Sequence, residues 1–246
     1  MRLLGYRKET ERVKKKGLRI LAAAAVLTFG CLTMNAYAAE GWALSNNIWT
    51  YLDKNGNRVT NEWKKGADNL WRYLNNSGEM AVNSWADNDY YVDANGIMVA
   101  DKWMQIVSPY SRDSQTYWFY FGSSGKVTKD TWKKIDGKSY YFDADGIMQT
   151  GWTEDGDYYL SSSGAMVTGW RYLEPKDEDS SLYGPESDDG KYWFYFSTSG
   201  KKQSPSTSDD GGDYKVTKID GKYYCFDADG RMRTGWVYLD LSLIHI

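Results

Sequence analysis

Histidine is almost missing from this sequence: the one copy, His245, is the second-last residue. A histidine-based triad, a zinc site built on histidine or a histidine general base has nothing to work with in residues 1–244. Cysteine is nearly as scarce. Of the two, Cys31 lies in the N-terminal stretch and Cys225 stands alone beyond it, so residues 39–246 hold no pair for an intramolecular disulfide. Apolar residues at a helical spacing are lacking after residue 40. Tyr, Trp, Thr, Gly, Asp, Asn and Ser alternate there in short clusters, which favours strands and tight turns. A basic surface is lacking as well. Residues 1–38 hold 8 of the 30 Lys/Arg and 2 of the 33 Asp/Glu, so the remainder, with 22 against 31, is nine charges negative. Such a balance provides no patch for nucleic acid.

No apolar run reaches the roughly 20 residues that a spanning helix needs. The longest, Ile20 to Leu32, follows a basic stretch of Arg7, Lys8, Arg12, Lys14, Lys15, Lys16 and Arg19 and precedes Ala36-Tyr37-Ala38, a small-x-small cleavage site. This is the order of a secretory signal peptide over residues 1–38, cut after Ala38. The mature chain is therefore expected outside the cell, without membrane contact after cleavage. Cys31 follows Gly30 as in a lipoprotein, but Thr28 and Phe29 fit a lipobox poorly.

Aromatics are abundant, with 12 Trp and 21 Tyr. Lys134 to Trp152 and Lys218 to Trp236, 84 residues apart, match at 15 of 19 positions, so the chain is an internal repeat. Each unit opens on a tryptophan: Trp42, Trp63, Trp85, Trp103, Trp132, Trp152 and Trp170, with Val216 in that place in the eighth. A four-residue cluster follows, at 49–52, 71–74, 89–92, 118–121, 139–142, 157–160, 193–196 and 223–226, whose third slot is Tyr except for Cys225. Four residues further comes a glycine, Gly56, Gly78, Gly96, Gly125, Gly146, Gly164, Gly200 or Gly230, always after Asn, Asp or Ser. Such pairs supply the positive φ of tight turns. Met80, Met98, Met148, Met166 and Met232 lie two residues past it.

Each unit thus reads as a β-hairpin with an extended return. Slots one and three share one face of the second strand and slots two and four the other. A lone hairpin is at best marginal in water, so successive hairpins must stack through their aromatic faces. The expected fold is all-β, a solenoid of seven or eight stacked β-hairpin repeats over residues 39–240. Residues 241–246 are expected to be a tail outside the pattern, a truncation or artefact.

Insertions at Met104 to Tyr117 and Arg171 to Tyr192 fall at hairpin tips, and a third, Lys201 to Tyr214, in a return segment. The second carries Asp177, Glu178, Asp179, Glu186, Asp188 and Asp189 without the Asp-x-Asp-x-Asp-Gly spacing of a calcium loop, and is expected to be a solvated loop.

Catalytic carboxylates need a cleft that holds them about 5 to 10 Å apart, and short hairpins in a thin stack offer shallow grooves, so the region reads as non-enzymatic, with no cofactor. Cys225 fills a tyrosine slot and reads as a buried replacement. The chemistry on offer is the aromatic cage. Where slot one is Trp it can stand beside the opening Trp, and a ring from the next unit can close a third side around a quaternary ammonium, at roughly 0.5 to 2 kcal/mol per face. Trp49, Trp71, Trp118 and Trp193 meet this condition, whereas Asp89, Ser139 and Asp157 replace Trp in other units.

The series Gly-Trp, a gap, Trp/x-Tyr-Tyr/Phe-Leu/Phe, Asp-x-x-Gly-x-Met-x-Thr-Gly-Trp resembles the choline-binding, or cell-wall-binding, repeat of Gram-positive autolysins and surface proteins, over residues 41 to 240. The resemblance implies a hairpin solenoid that holds an exported protein on the cell surface, its partner being choline-decorated teichoic acid or another cell-wall glycan. Carried over by position, the sites would be Trp42 with Trp49 and Tyr73, Trp63 with Trp71 and Tyr91, and Trp103 with Trp118 and Tyr141. Trp170 with Trp193 makes a fourth, where Cys225 takes the place of the third ring. The repeat is also similar to glucan-binding repeats of glucosyltransferases and to repeats of clostridial toxins, so carbohydrate stacking is the alternative. The anchoring part of a truncated cell-wall hydrolase is another. An open array also leaves room for end-to-end pairing into a homodimer.

Overall fold

The computed structural model describes residues 39–112, 114–176, 187–205, 214–239 and 242–245. The expected signal peptide, most of the acidic hairpin tip and part of the C-terminal tail lie outside the described residues.

The described chain is all-β. Seven antiparallel hairpins follow one another: β1 (Gly41–Ser45) with β2 (Ile48–Leu52), β3 (Glu62–Lys65) with β4 (Trp71–Leu74), β5 (Ser84–Ala86) with β6 (Tyr90–Val92), β7 (Lys102–Val107) with β8 (Thr116–Phe121), β9 (Thr131–Ile135) with β10 (Lys138–Phe142), β11 (Gly151–Trp152) with β12 (Tyr159–Leu160), and β13 (Gly169–Leu173) with β14 (Tyr192–Phe196). The eighth pairs β15 (Tyr214–Ile219) with β16 (Lys222–Asp227) and adds β17 (Met232–Arg233). The hairpin pattern runs on past residue 240, where β18 (Trp236–Leu239) pairs with β19 (Ser242–His245).

Turn chemistry sets these elements. The tight hairpins turn on Asn46-Asn47, Asp87-Asn88, Asp136-Gly137 and Asp220-Gly221, each with positive φ at both residues, which matches the right-handed twist of the strands. In five repeats the second turn is an Asx turn, whereas in repeats four, six and seven it opens on Gly122, Ser161 and Ser197. Asp53, Asn75, Asp93, Asp143 and Asp227 each accept, through Oδ1, the backbone N–H groups two and four residues on, at 2.8–3.0 Å. The glycine closing the second turn is required twice over at Gly164 and Gly200. Both have positive φ, and an added Cβ would overlap the sulfur of Met148 or Met166 from the preceding repeat. The methionine column and the glycine column are thus one packing device.

The return segment joins neighbouring repeats. Met80 N–H donates to Trp49 C=O at 2.7 Å, Met98 to Trp71 at 2.9 Å, Met148 to Trp118 at 2.9 Å and Met166 to Ser139 at 2.8 Å, so each return is sewn to slot one of the repeat before it. Slot four forms the core. Leu74, Val92, Phe121, Phe142, Leu160, Phe196 and Phe226 are at most 1% exposed. Burying each contributes roughly 1.5–3 kcal/mol.

The two elongated hairpins fold back on the short hairpin before them. Trp85 Nε1–H donates to Val107 C=O at 2.8 Å, and Tyr110 O–H to Asn88 C=O at 3.3 Å. Trp152 Nε1–H likewise donates to Glu174 C=O at 2.9 Å, and Lys176 Nζ donates to Glu154 C=O. The described parts of the two insertions therefore extend strands and clasp a neighbour.

Candidate functional site: the joints between repeats

Numbering the repeats one to eight by their opening residues, each opening tryptophan from Trp63 onward reaches forward to slot two of the next repeat, and Trp85, Trp103, Trp152 and Trp170 reach its slot-four phenylalanine as well. Trp63 lies 5.4 Å from Tyr90, Trp85 5.0 Å from Phe119, Trp103 4.9 Å from Tyr140, Trp132 5.0 Å from Tyr158, Trp152 5.0 Å from Phe194 and Trp170 4.7 Å from Tyr224, ring centre to ring centre. This corrects the expected third ring. Slot three of a repeat packs on the opening tryptophan of its own hairpin: Tyr73 on Trp63, Tyr91 on Trp85 and Tyr141 on Trp132. The reason is orientation. Slots one and three look toward the following repeat, and slots two and four look back. Cys225 is in the forward-looking set, so it leaves no gap beside Trp170, where Tyr224 and Phe226 pack at 4.7 and 5.9 Å.

Two joints have the same aromatic geometry. Trp103 and Trp118 stand edge to face at 6.3 Å and 83°, and Trp170 and Trp193 at 6.4 Å and 82°. Tyr140 closes the first and Tyr224 the second. Trp118 and Trp193, at 43% and 45% exposure, leave each cage open to solvent. Slot two as the source of the third ring was missed in the sequence, although it holds Tyr or Phe in six of eight repeats.

Other joints are filled from within the chain. Trp42 packs on Tyr51 and donates its Nε1–H to Lys65 C=O at 3.0 Å, the Lys64 ammonium sits 5.3 Å from the Tyr51 ring, and slot two of the next repeat is Arg72. Trp63 Nε1–H donates to Asp87, and the Lys65 ammonium covers Trp71 at 5.0 Å. The candidate tryptophans Trp49 and Trp71 therefore line joints where a lysine of the chain already lies over an aromatic ring. Tyr73 O–H donates to Asp87 at 2.7 Å, and burial with this bond pushes its pKa up to about 12.

Joints three and six replace the cage by ion pairs. Asp89 meets Lys129 at 2.8 Å and Lys126 at 3.2 Å, and the Lys129 bond holds its carboxyl below the usual range. Asp157 meets Lys201 at 3.0 Å. Beside it, Lys202 stands in the methionine column and places its ammonium 5.3 Å from the Trp152 ring. Burial pushes the pKa of Lys202 down. Among the described residues no cluster of three His, Cys, Asp or Glu side chains could hold a metal ion, and no helix is long and apolar enough to cross a membrane.

Fold and site together define a class: an array of β-hairpin repeats with aromatic cages at some joints and sealed contacts at others. The sequence profile of the choline-binding repeat matches residues 39–85 and 127–169. Choline-binding protein F of Streptococcus pneumoniae is similar in structure, with a TM-score of 0.51 and 21% identity over 85% of this chain and 77% of that one, a likeness of fold. The choline-binding domain of CbpL from the same organism aligns at TM-score 0.46 and 26% identity over 80% of this chain and 98% of its own. The modular autolysin LytC of Streptococcus pneumoniae aligns at TM-score 0.46 and 24% identity over 83% of this chain; the chain spans about half its length, 50%. No curated protein matches the sequence at significance.

Proposed function

We propose that the chain is a non-catalytic cell-wall-binding module that holds an exported protein on the bacterial surface by taking choline groups of teichoic acid into the cages of joints four and seven. The observation that carries this reading is the duplicated geometry of Trp103–Trp118–Tyr140 and Trp170–Trp193–Tyr224. Three aromatic faces suit a trimethylammonium, which has no hydrogen-bond donor and is held by cation–π attraction and dispersion. The match to choline-binding repeats supports the ligand class.

The test is retention on a choline resin. Wild-type protein is expected to bind and to elute with free choline, Trp118→Ala or Trp193→Ala to bind less, and the double variant to pass through. A double variant that still binds like wild type would remove the cage assignment. The groove of about 310 Å³ where Tyr172, Leu173 and Pro175 cross Trp152 and Tyr159 suits a sugar ring and favours carbohydrate as the second reading. Retention on a glucan resin, unaffected by choline, would select it.

A further inference from the structure

The two cages differ beside their second tryptophan. The residue across the hairpin is Gln105 for Trp118 and Tyr172 for Trp193. Directly opposed residues of an antiparallel pair share a face, with Cβ atoms about 5 Å apart. Tyr172 therefore looks toward repeat eight together with Trp193 and Trp170, and its ring centre lies 5.2 Å from that of Trp193 at 40°. It does not cover its neighbour. Trp193 keeps 45% exposure beside Tyr172, against 43% for Trp118 beside Gln105, and Tyr172 itself keeps 43%. Joint seven thus presents an open fourth ring where joint four presents an exposed amide.

That ring is held by its hydroxyl end. Tyr172 O–H donates to Asp189 Oδ1 at 2.7 Å, and the same oxygen accepts the Ser187 O–H at 2.7 Å and the Lys191 N–H at 3.1 Å. The bonds from Ser187 and Tyr172 hold the Asp189 carboxyl below its usual range, so it is ionised at neutral pH. The bond to Asp189 in turn raises the Tyr172 hydroxyl above the ordinary phenol value, so the tyrosine stays a neutral donor. A phenol that donates to a carboxylate is polarised toward its ring, which strengthens the attraction of its face for a cation. The anion adds a longer-range attraction that salt screens. A ring fixed beforehand also lowers the ordering cost of binding.

We propose that Tyr172 is a fourth wall of the cage at joint seven and that Asp189, acting through it, makes joint seven the tighter and more charge-selective of the two choline sites, a step that rests on the reading of joints four and seven as choline cages. Tyr172 touches the ligand, and Asp189 is a positioning residue. Joint seven then fills first at low ligand, and joint four adds avidity once a polymer is held.

Titration calorimetry of the whole chain with free choline reads the joints one at a time: Trp118→Ala leaves joint seven, and Trp193→Ala leaves joint four. Free choline is the ligand, rather than a polymer, because Tyr172 also borders the groove over Trp152 and Tyr159. Joint seven is expected to bind about threefold more tightly, the size of one added cation–π face at an exposed position. In the Trp118→Ala background, Tyr172→Ala should remove this advantage. Asp189→Asn in the same background should remove part of it, while leaving unchanged the affinity for the neutral analogue in which carbon replaces the quaternary nitrogen of choline. A merely structural role of Asp189 would weaken both ligands alike. Asp189 is exposed, so its variant should keep the near-ultraviolet circular dichroism of its parent and stay readable if Tyr172→Ala folds poorly. Equal affinities at the two joints, unchanged choline affinity in either variant, or equal losses for choline and its neutral analogue in Asp189→Asn would each overturn the proposal with the cages intact. Absence of choline binding in the wild type would instead remove the cages themselves, and the proposal with them.

Discussion

Phe121 and Phe196 show why stability here depends on single side chains. Each is fully buried and each meets the opening tryptophan of the preceding repeat, Trp85 at 5.6 Å and Trp152 at 5.7 Å. Replacing either by alanine removes the ring and leaves a cavity between two repeats, at a cost of about 3–5 kcal/mol. Urea unfolding of Phe121→Ala should show this loss, against less than about 0.5 kcal/mol for a change at an exposed position such as Lys134. Lys202 acts in the other direction. Its pKa is depressed below the ordinary 10.5 by burial, so the folded state holds its proton less tightly than the unfolded state does. The burial penalty is present in full below the folded pKa and fades as pH rises toward 10.5, so Lys202 makes stability increase with pH across that alkaline interval. Lys202→Met restores the column residue and should remove this increase. The midpoint difference between variant and wild type, measured from pH 7 to about 10.5, should shrink with pH; parallel curves would refute the burial account.

The clasping hairpins are where the sequence was read least well. The spacing from opening Trp to cluster, long there and short elsewhere, puts the insertions between the strands of β7–β8 and β13–β14. Their role was not legible. Nothing in the spacing says that Val107 and Glu174 will accept from the indoles of Trp85 and Trp152, since those bonds depend on strand twist and on how far the extended pair leans back. If the first clasp is structural, replacing residues 108–115 by a two-residue Asn-Gly turn removes the Tyr110–Asn88 bond and loosens the seal over Trp85. The expected loss is roughly 1–2 kcal/mol, the net worth of one or two hydrogen bonds. Hydrogen exchange should quicken at β5 and β6 while retention on choline resin persists. Unchanged exchange in β5 and β6 would show that the clasp seals nothing.

Across the molecule repeats three to eight fall into two triplets. Repeats three and six are short and sealed by Asp–Lys pairs, repeats four and seven are elongated and carry open Trp pairs, and repeats five and eight follow with Ser139 and Tyr223 in slot one. The period, the turns and the all-β stack were readable because positive-φ residues and the parity of side chains leave little choice. Which neighbour each face looks toward was not readable. Parity alone cannot distinguish forward from backward, and for that reason the sequence pairs Tyr73, Tyr91 and Tyr141 with the tryptophans of the preceding repeat and offers Cys225, not Tyr224, beside Trp170 and Trp193. Cages of this kind act together through effective concentration, so losing one should reduce retention and losing both should abolish it. The most direct measurement is elution from a choline column of Trp118→Ala/Trp193→Ala beside Trp49→Ala/Trp71→Ala. The account predicts that the first pair of substitutions abolishes retention while the second leaves most of it; retention lost in the second and kept in the first would contradict it.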